Sequence, residues 1–174
     1  MDRIDRNFYL NQLIEKCENG RVKVVTGIRR CGKSVLLFDI FGDYLKERGV
    51  KTDQLIMMKL DVAKNARYRN PLELDKYLRD LTSDGSKQFY VMLDEIQEVK
   101  SIQNPWLEDK DEKIGFVDVL LGLLDMGNVD IYVTGSNSKM LSTDVMTEFK
   151  DRGDEIHVGD YIRQYPKIRD IASV

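Results

Sequence analysis

The chain has 174 residues, of which 42% are hydrophobic and 33% are charged, a balance typical of an ordered globular protein. We therefore predict a single domain spanning 1–174. The net charge of -3 does not support nucleic-acid binding. The two cysteines, Cys17 and Cys31, make no disulfide framework, and no stretch has the pattern of a signal peptide or a membrane span. These features predict a cytoplasmic protein with no direct membrane contact.

Strand-like and helix-like patterns alternate along the chain. The β-branched residues before Gly27 are typical of a strand, and Asn70, Pro71 and Glu73 are typical of a capped helix start. In chain order the patterns predict a helix around 10–17, a strand at 21–26, a helix at 33–48, a strand at 54–60, a helix at 71–81, a strand at 89–93, a helix at 114–124, and strands at 130–134 and 155–158.

This alternation predicts an α/β fold, because parallel neighbouring strands need crossover connections that are usually helices. We expect a mostly parallel sheet with helices on both faces. In such sheets ligands bind outside the carboxyl ends of the strands. Functional side chains are therefore expected at that edge.

Residues 27–34 match the phosphate-binding pattern G-x-x-x-x-G-K-[ST] and lie between a predicted strand and a predicted helix. Glycines in such a loop let successive backbone N–H groups face phosphate oxygens, and the helix start adds a positive dipole end. Lys33 is expected to reach the β- and γ-phosphates, and the Ser34 hydroxyl to bind Mg²⁺. The alternative is a glycine turn with a solvated lysine. The predicted nucleotide-binding residues are Gly27, Ile28, Arg29, Arg30, Cys31, Gly32, Lys33, Ser34 and Val35.

Asp94 and Glu95 follow the apolar run at 89–93, where an adjacent strand would bring them beside the phosphates. Asp94 is predicted to hold Mg²⁺ directly or through water. Glu95 is suited to orient or deprotonate the water that attacks the phosphate. The alternative is an acidic strand end that is simply solvated.

Two further positions have competing interpretations. Asn137 or Ser136, just after the strand at 130–134, would sense the γ-phosphate or hold the water, or else form a turn that satisfies its own backbone. Arg152 would act in trans as an arginine finger in an oligomer, or form a surface ion pair with Asp151 or Asp154.

The remaining candidates are single residues with ordinary structural explanations. Arg29 and Arg30 contact either phosphate or a neighbouring acid. Cys31 is expected to fill a loop position rather than to act in redox chemistry, and His157 to be structural. Trp106 and the apolar helix after it are predicted to belong to the core, with a partner surface as the alternative.

Three stretches resemble a prokaryotic group of AAA-type P-loop ATPases: V-V-T-G-I-R-R-C-G-K-S, F-Y-V-M-L-D-E-I-Q-E-V, and the segment from T-G-S-N-S to D-R-G-D-E-I. The resemblance covers roughly 1–158. It implies a five-stranded parallel core with the phosphate-loop strand central and the Asp94 strand beyond an intervening strand. It also implies ATP and Mg²⁺ as cofactors, Lys33, Ser34, Asp94 and Glu95 as site residues, Asn137 as the sensor, and Arg152 as the arginine of a G-R element. Here Asp151 replaces the glycine of that element.

After residue 158 the sequence departs from the family, whose long C-terminal region is expected to be absent from this chain. We predict an ATPase that drives a conformational change in a protein partner, a second copy or an absent domain. The first alternative is a nucleotide-dependent switch with little or no turnover. A small-molecule kinase is the second, although no arginine-rich lid is evident. The choice of adenine over guanine follows from the resemblance.

Overall fold

The computed structural model describes residues 4–135 and 143–158. Its strands are β1 (Val22–Thr26), β2 (Leu55–Lys59), β3 (Phe89–Asp94), β4 (Ile102–Gln103), β5 (Lys113–Ile114), β6 (Val129–Thr134) and β7 (Gly153–His157). Its α-helices are α1 (Ile4–Glu15), α2 (Gly42–Glu47), α3 (Pro71–Leu81), α4 (Phe116–Leu124) and α5 (Thr143–Glu148). A π-helical segment, Val35–Phe41, precedes α2, and 3-10 turns lie at Thr52–Gln54, Ala63–Arg69 and Ile96–Glu98.

Five strands form one sheet in the order β2-β3-β6-β1-β7, and every pair of neighbours is parallel. The predicted α/β fold with a mostly parallel sheet is therefore confirmed. β1 is an internal strand, but the middle position belongs to β6. Since β6 separates β1 from β3, the expectation that Asp94 follows a strand adjacent to β1 is wrong, and the order with one intervening strand is right.

Helices cover both faces of the sheet, as predicted. Successive residues of β1 point to opposite faces of the sheet. Val24 packs with the core under α3 and α4, whereas Val25 packs with the core under α1 and the helix that follows the phosphate loop, residues 27–34. Both valines are fully buried. This double burial anchors β1, and with it the loop that leaves its carboxyl end.

The main differences from the sequence prediction lie at 96–115. β4 and β5 form a small antiparallel hairpin, which was not predicted because two-residue strands are too short to show a periodic pattern. The prediction that Trp106 belongs to the core is wrong, because Trp106 lies in the loop of this hairpin and is 75% exposed. The helix after it, α4, is buried as predicted.

The start of α3 confirms the capping prediction. The Asn70 side chain accepts hydrogen bonds from the backbone N–H groups of Leu72 and Glu73, at 3.0 and 3.4 Å, and Pro71 occupies the first helical position. None of the helices in the described ranges is long and apolar enough to cross a membrane.

Candidate functional site

The phosphate loop leaves β1 at Gly27 and enters a helix at Lys33. Gly27, Arg30 and Gly32 have positive φ angles of 152°, 63° and 88°. These left-handed residues curl the chain back on itself, which is the property expected of a loop whose N–H groups must converge on one anion. The first helical bond runs from the Leu36 N–H to the Gly32 carbonyl, at 2.9 Å.

Lys33 is buried against its own loop, with only 5% of its surface exposed. Its ammonium donates hydrogen bonds to the carbonyl oxygens of Gly27, at 3.0 Å, and Ile28, at 2.8 Å, and lies 3.6 Å from the Cys31 sulfur. The buried charge is thus satisfied by carbonyl groups of the loop itself. An incoming phosphate would compete with these carbonyls for the ammonium. Cys31 is buried and fills the loop as expected.

The Ser34 hydroxyl donates a hydrogen bond of 2.7 Å to Oδ2 of Asp94. These residues belong to different segments, one following β1 and one ending β3, and β6 lies between the two strands. The contact therefore spans the width of a strand at the carboxyl edge of the sheet. Asp94 is 5% exposed, so a hydroxyl and a buried carboxylate meet where a divalent cation would have oxygen ligands from both segments.

A second hydroxyl, that of Thr134 at the end of β6, contacts the other oxygen of the same carboxylate. The Thr134 hydroxyl donates to Asp94 Oδ1 and accepts a hydrogen bond of 3.1 Å from the backbone N–H of Glu95. Glu95 has φ of 58°, and its carboxylate accepts a hydrogen bond from the Gln97 side-chain amide. Thr134 thus contacts both acidic residues, and Gln97 holds the Glu95 carboxylate.

A third cluster lies where β1 and β7 end. The buried Thr26 hydroxyl donates to Oε1 of Glu155 at 2.7 Å, and the Nδ1 atom of His157 lies 3.1 Å from the same hydroxyl. These contacts join β7 to β1 next to Gly27. They are consistent with the structural role that was predicted for His157.

Two side chains near the opposite, amino-terminal edge of the sheet, Cys17 and Tyr132, have raised pKa values. There Lys23 pairs with Asp130, both buried, and the Tyr132 hydroxyl donates to Oδ2 of Asp130 at 2.6 Å. Burial raises the pKa of the Cys17 thiol to about 11, and burial together with the Asp130 charge raises the pKa of Tyr132. Both groups therefore stay protonated at neutral pH.

Arg152 lies at this amino-terminal edge, just before β7. Its guanidinium forms an exposed ion pair of 2.9 Å with Asp125, and not with Asp151 or Asp154, the predicted partners. Since Val22 pairs with Gly153, Arg152 lies level with Arg21, and at about 3.3 Å per residue it is about 20 Å along the sheet from Gly27. It does not reach the phosphate loop of its own chain. Asp151 has φ of 66°, a left-handed angle that glycine adopts without strain, which is consistent with the glycine that the resemblance implies at this position.

The other predicted site residues divide into two groups. Ile28, Arg29, Arg30 and Val35 are exposed around the loop, and neither arginine makes an ion pair among the residues that the structure describes. Asn137 and Ser136 lie outside the described residues.

Thr134 and Gln97 were not among the predicted site residues, although both lie inside the stretches that resemble the ATPase family. A threonine that ends an apolar strand was a usable signal. Its partner could not be read from the sequence, because the contact depends on β6 lying beside β3.

A five-stranded parallel sheet with a glycine-rich phosphate loop at its carboxyl edge defines the class of P-loop nucleotide-binding folds. Solved structures with this fold include PCH-2 of C. elegans, with a TM-score of 0.56 and 18% identity over 91% of this chain and 42% of that chain. A DNA polymerase III gamma subunit-related protein of Thermotoga maritima gives a TM-score of 0.54 and 11% identity, and the match covers 94% of this chain and 54% of that chain. Cdc6p of Pyrobaculum aerophilum gives a TM-score of 0.53 and 13% identity, and the match covers 86% of this chain and 44% of that chain.

The family described as AAA domain matches residues 19–161, and the chain belongs to that family of AAA-type P-loop ATPases. An uncharacterised protein of Haemophilus influenzae is 28% identical over 155 residues, which are 89% of this chain and 35% of the relative. An uncharacterised protein of Methanocaldococcus jannaschii is 28% identical over 82% of this chain and 27% of the relative. The chain thus spans between about a quarter and a third of the length of these relatives.

We predict that Gly32→Ala destabilises the protein through the backbone alone. A Cβ atom at Gly32 would meet nothing within 4 Å, but the φ of +88° disfavours any L side chain by about 1–2 kcal/mol. Urea denaturation measures the free energy of unfolding. The matched control is Gly85→Ala, at a glycine that also has open space but lacks a positive φ. Equal effects of the two substitutions would contradict the strained loop conformation.

Proposed function

We propose that this chain binds Mg²⁺·ATP at the carboxyl edge of its sheet and hydrolyses it. The observation that carries the proposal is the 2.7 Å hydrogen bond between the Ser34 hydroxyl and Asp94. It joins the phosphate loop to the acidic strand end, the two parts that a P-loop nucleoside triphosphatase must bring together. Membership in the AAA domain family supports the same chemistry and favours adenine as the base.

The phosphate loop would bind the polyphosphate through its backbone N–H groups and through Lys33. The Lys33 ammonium already lies on the loop, bound to two carbonyl oxygens. On binding, it would exchange those carbonyls for oxygens of the β- and γ-phosphates, so one charge-assisted interaction replaces another. Arg29 and Arg30 are exposed in the same loop, and either would add positive charge near the phosphates.

Ser34 and Asp94 fit a magnesium ion by their chemistry. Mg²⁺ prefers oxygen ligands and is usually bound by one or two protein groups together with substrate phosphates and water. A hydroxyl and a carboxylate in contact supply those protein oxygens. When bound, Mg²⁺ neutralises charge on the phosphate oxygens.

Glu95 is the group proposed to orient or deprotonate the attacking water. It follows Asp94 directly, and its backbone N–H is held by Thr134. The Gln97 amide donates to its carboxylate and so limits the orientations that the carboxylate can take. A positioned general base of this kind contributes about 10²–10⁴-fold to a rate.

The energy released would drive a conformational change outside the residues described. The chain covers 35% of the Haemophilus relative and 27% of the Methanocaldococcus relative. The responding element is therefore proposed to be a protein partner, a second copy of the chain, or a region that corresponds to the remaining length of those relatives.

ATP turnover by the purified protein, measured beside two variants, tests the proposal. Lys33→Ala should lose nucleotide affinity and turnover together, because it removes a phosphate contact. Glu95→Gln should keep nucleotide affinity and lower turnover by about 100-fold or more, because it removes the general base without removing a phosphate or metal contact. Phosphate release and calorimetric binding are the two measurements.

Each other outcome identifies a different function. Tight binding without phosphate release by the wild type would contradict hydrolysis and favour a nucleotide-dependent switch. Release only after an acceptor is added would favour a small-molecule kinase. Wild-type turnover in Glu95→Gln would remove Glu95 from the mechanism.

Arg152 is proposed to stabilise the fold through its ion pair with Asp125 rather than to take part in turnover, because that carboxylate holds its guanidinium. We expect Arg152→Ala and Asp125→Ala to cost similar, small amounts of stability, about 1 kcal/mol or less for an exposed pair. Phosphate release should stay close to wild type in both variants. A loss of turnover in Arg152→Ala alone would contradict this assignment and make Arg152 a trans-acting finger.

A further inference from the structure

The Thr134 hydroxyl is fully buried at the carboxyl end of the middle strand, between the strands that deliver the phosphate loop and the acidic pair. It makes two hydrogen bonds, one as donor to Asp94 Oδ1 and one as acceptor from the Glu95 N–H. A hydroxyl has a single hydrogen, so its donation to Asp94 and its acceptance from Glu95 are both fixed in direction. One side chain thus contacts both members of the acidic pair.

The two oxygens of the Asp94 carboxylate have different neighbours. Oδ1 accepts from Thr134, and Oδ2 accepts from Ser34 at 2.7 Å. Rotation of the carboxylate about its χ2 angle would break the bond to Thr134 and leave a buried hydroxyl without its acceptor, which is costly. The contact with Thr134 therefore keeps Oδ2 directed at Ser34.

The contact with Glu95 fixes the backbone instead of a side chain. Glu95 has a left-handed φ of 58°, a conformation that is unfavourable for a residue other than glycine. Its N–H bond to Thr134 helps to hold that conformation, which sets the direction in which the Glu95 side chain leaves the strand.

We propose that Thr134 is a positioning residue for magnesium: its hydroxyl orients Asp94 so that one oxygen stays available beside Ser34, and it holds the Glu95 backbone next to it. The inference rests on the proposed function, since it concerns the same cation. Thr134 itself touches neither the cation nor the nucleotide. Groups that orient a metal ligand in this way typically change metal affinity or activity by about 10–100-fold when they are removed.

The experiment measures ATP affinity in EDTA and across a Mg²⁺ titration for Thr134→Val, Thr134→Ala and Thr134→Ser. Valine has the shape of threonine without the hydroxyl, and serine differs from alanine only by a hydroxyl. We expect the half-saturating Mg²⁺ concentration to rise by about 10–100-fold in the valine and alanine variants. It should stay close to wild type in the serine variant. The affinity in EDTA should be the same in all four proteins.

Thr82→Val is the matched control. Thr82 is also fully buried, and its hydroxyl donates to the Leu78 carbonyl at 2.8 Å. Its own carbonyl accepts from the side chain of Asn128, the residue before β6, so Thr82 lies near the amino-terminal edge of the sheet, opposite to the acidic pair. This substitution removes a buried hydroxyl as Thr134→Val does, but it should leave the Mg²⁺ titration unchanged.

Three results would overturn the inference. The first is a half-saturating Mg²⁺ concentration in Thr134→Val that equals the wild-type value. The second is a loss of ATP affinity in Thr134→Val that is as large in EDTA as in Mg²⁺. The third is loss of folding in both the valine and alanine variants while the serine variant folds, which would make the hydroxyl structural. If the wild-type protein itself shows no Mg²⁺-dependent ATP binding, the proposed function fails, and that outcome is distinct from these three.

Discussion

The hydrogen bond between Ser34 and Asp94 depends on the whole topology of the sheet. The serine follows β1, the aspartate ends β3, and β6 must insert between these strands while remaining parallel to both. A shift of one residue in either pairing would turn the side chains at the strand ends to the other face. The burial of Val24 and Val25 on opposite faces fixes that register for β1, so the hydrophobic core determines where the polar site forms.

Buried polar groups at this edge are matched to one another rather than left to solvent. Asp94, Lys33 and Thr134 are all buried, and each makes hydrogen bonds within the site. Leaving any one of these groups without a partner would cost about 1–3 kcal/mol, and more for a charge. The site therefore holds its shape through mutual hydrogen bonds, and a nucleotide with its cation would have to exchange partners with Lys33 and Ser34 rather than enter an open cavity.

Much of the fold could be predicted because long apolar runs and capping residues reflect local physics. The strand that ends at Asp94 and the helix that begins after Asn70 show this. Strand order depends on packing between distant segments, and so the placement of β6 between β1 and β3 came only from family resemblance. For the same reason the pairing of Arg152 with Asp125 and the double contact of Thr134 could not be read from the sequence. The exposure of Trp106 was missed because hydrophobicity alone does not locate a short hairpin.

Ser34 and Asp94 are proposed to hold one cation together. A double-mutant cycle with Ser34→Ala, Asp94→Asn and the double variant, measured as ATP affinity in Mg²⁺ and again in EDTA, tests it most directly. If both groups bind the same ion, the effects of the two substitutions on ATP affinity should be strongly non-additive in Mg²⁺. In EDTA neither substitution should change ATP affinity appreciably. Additive losses in Mg²⁺, or losses of equal size in EDTA, would contradict a shared magnesium site.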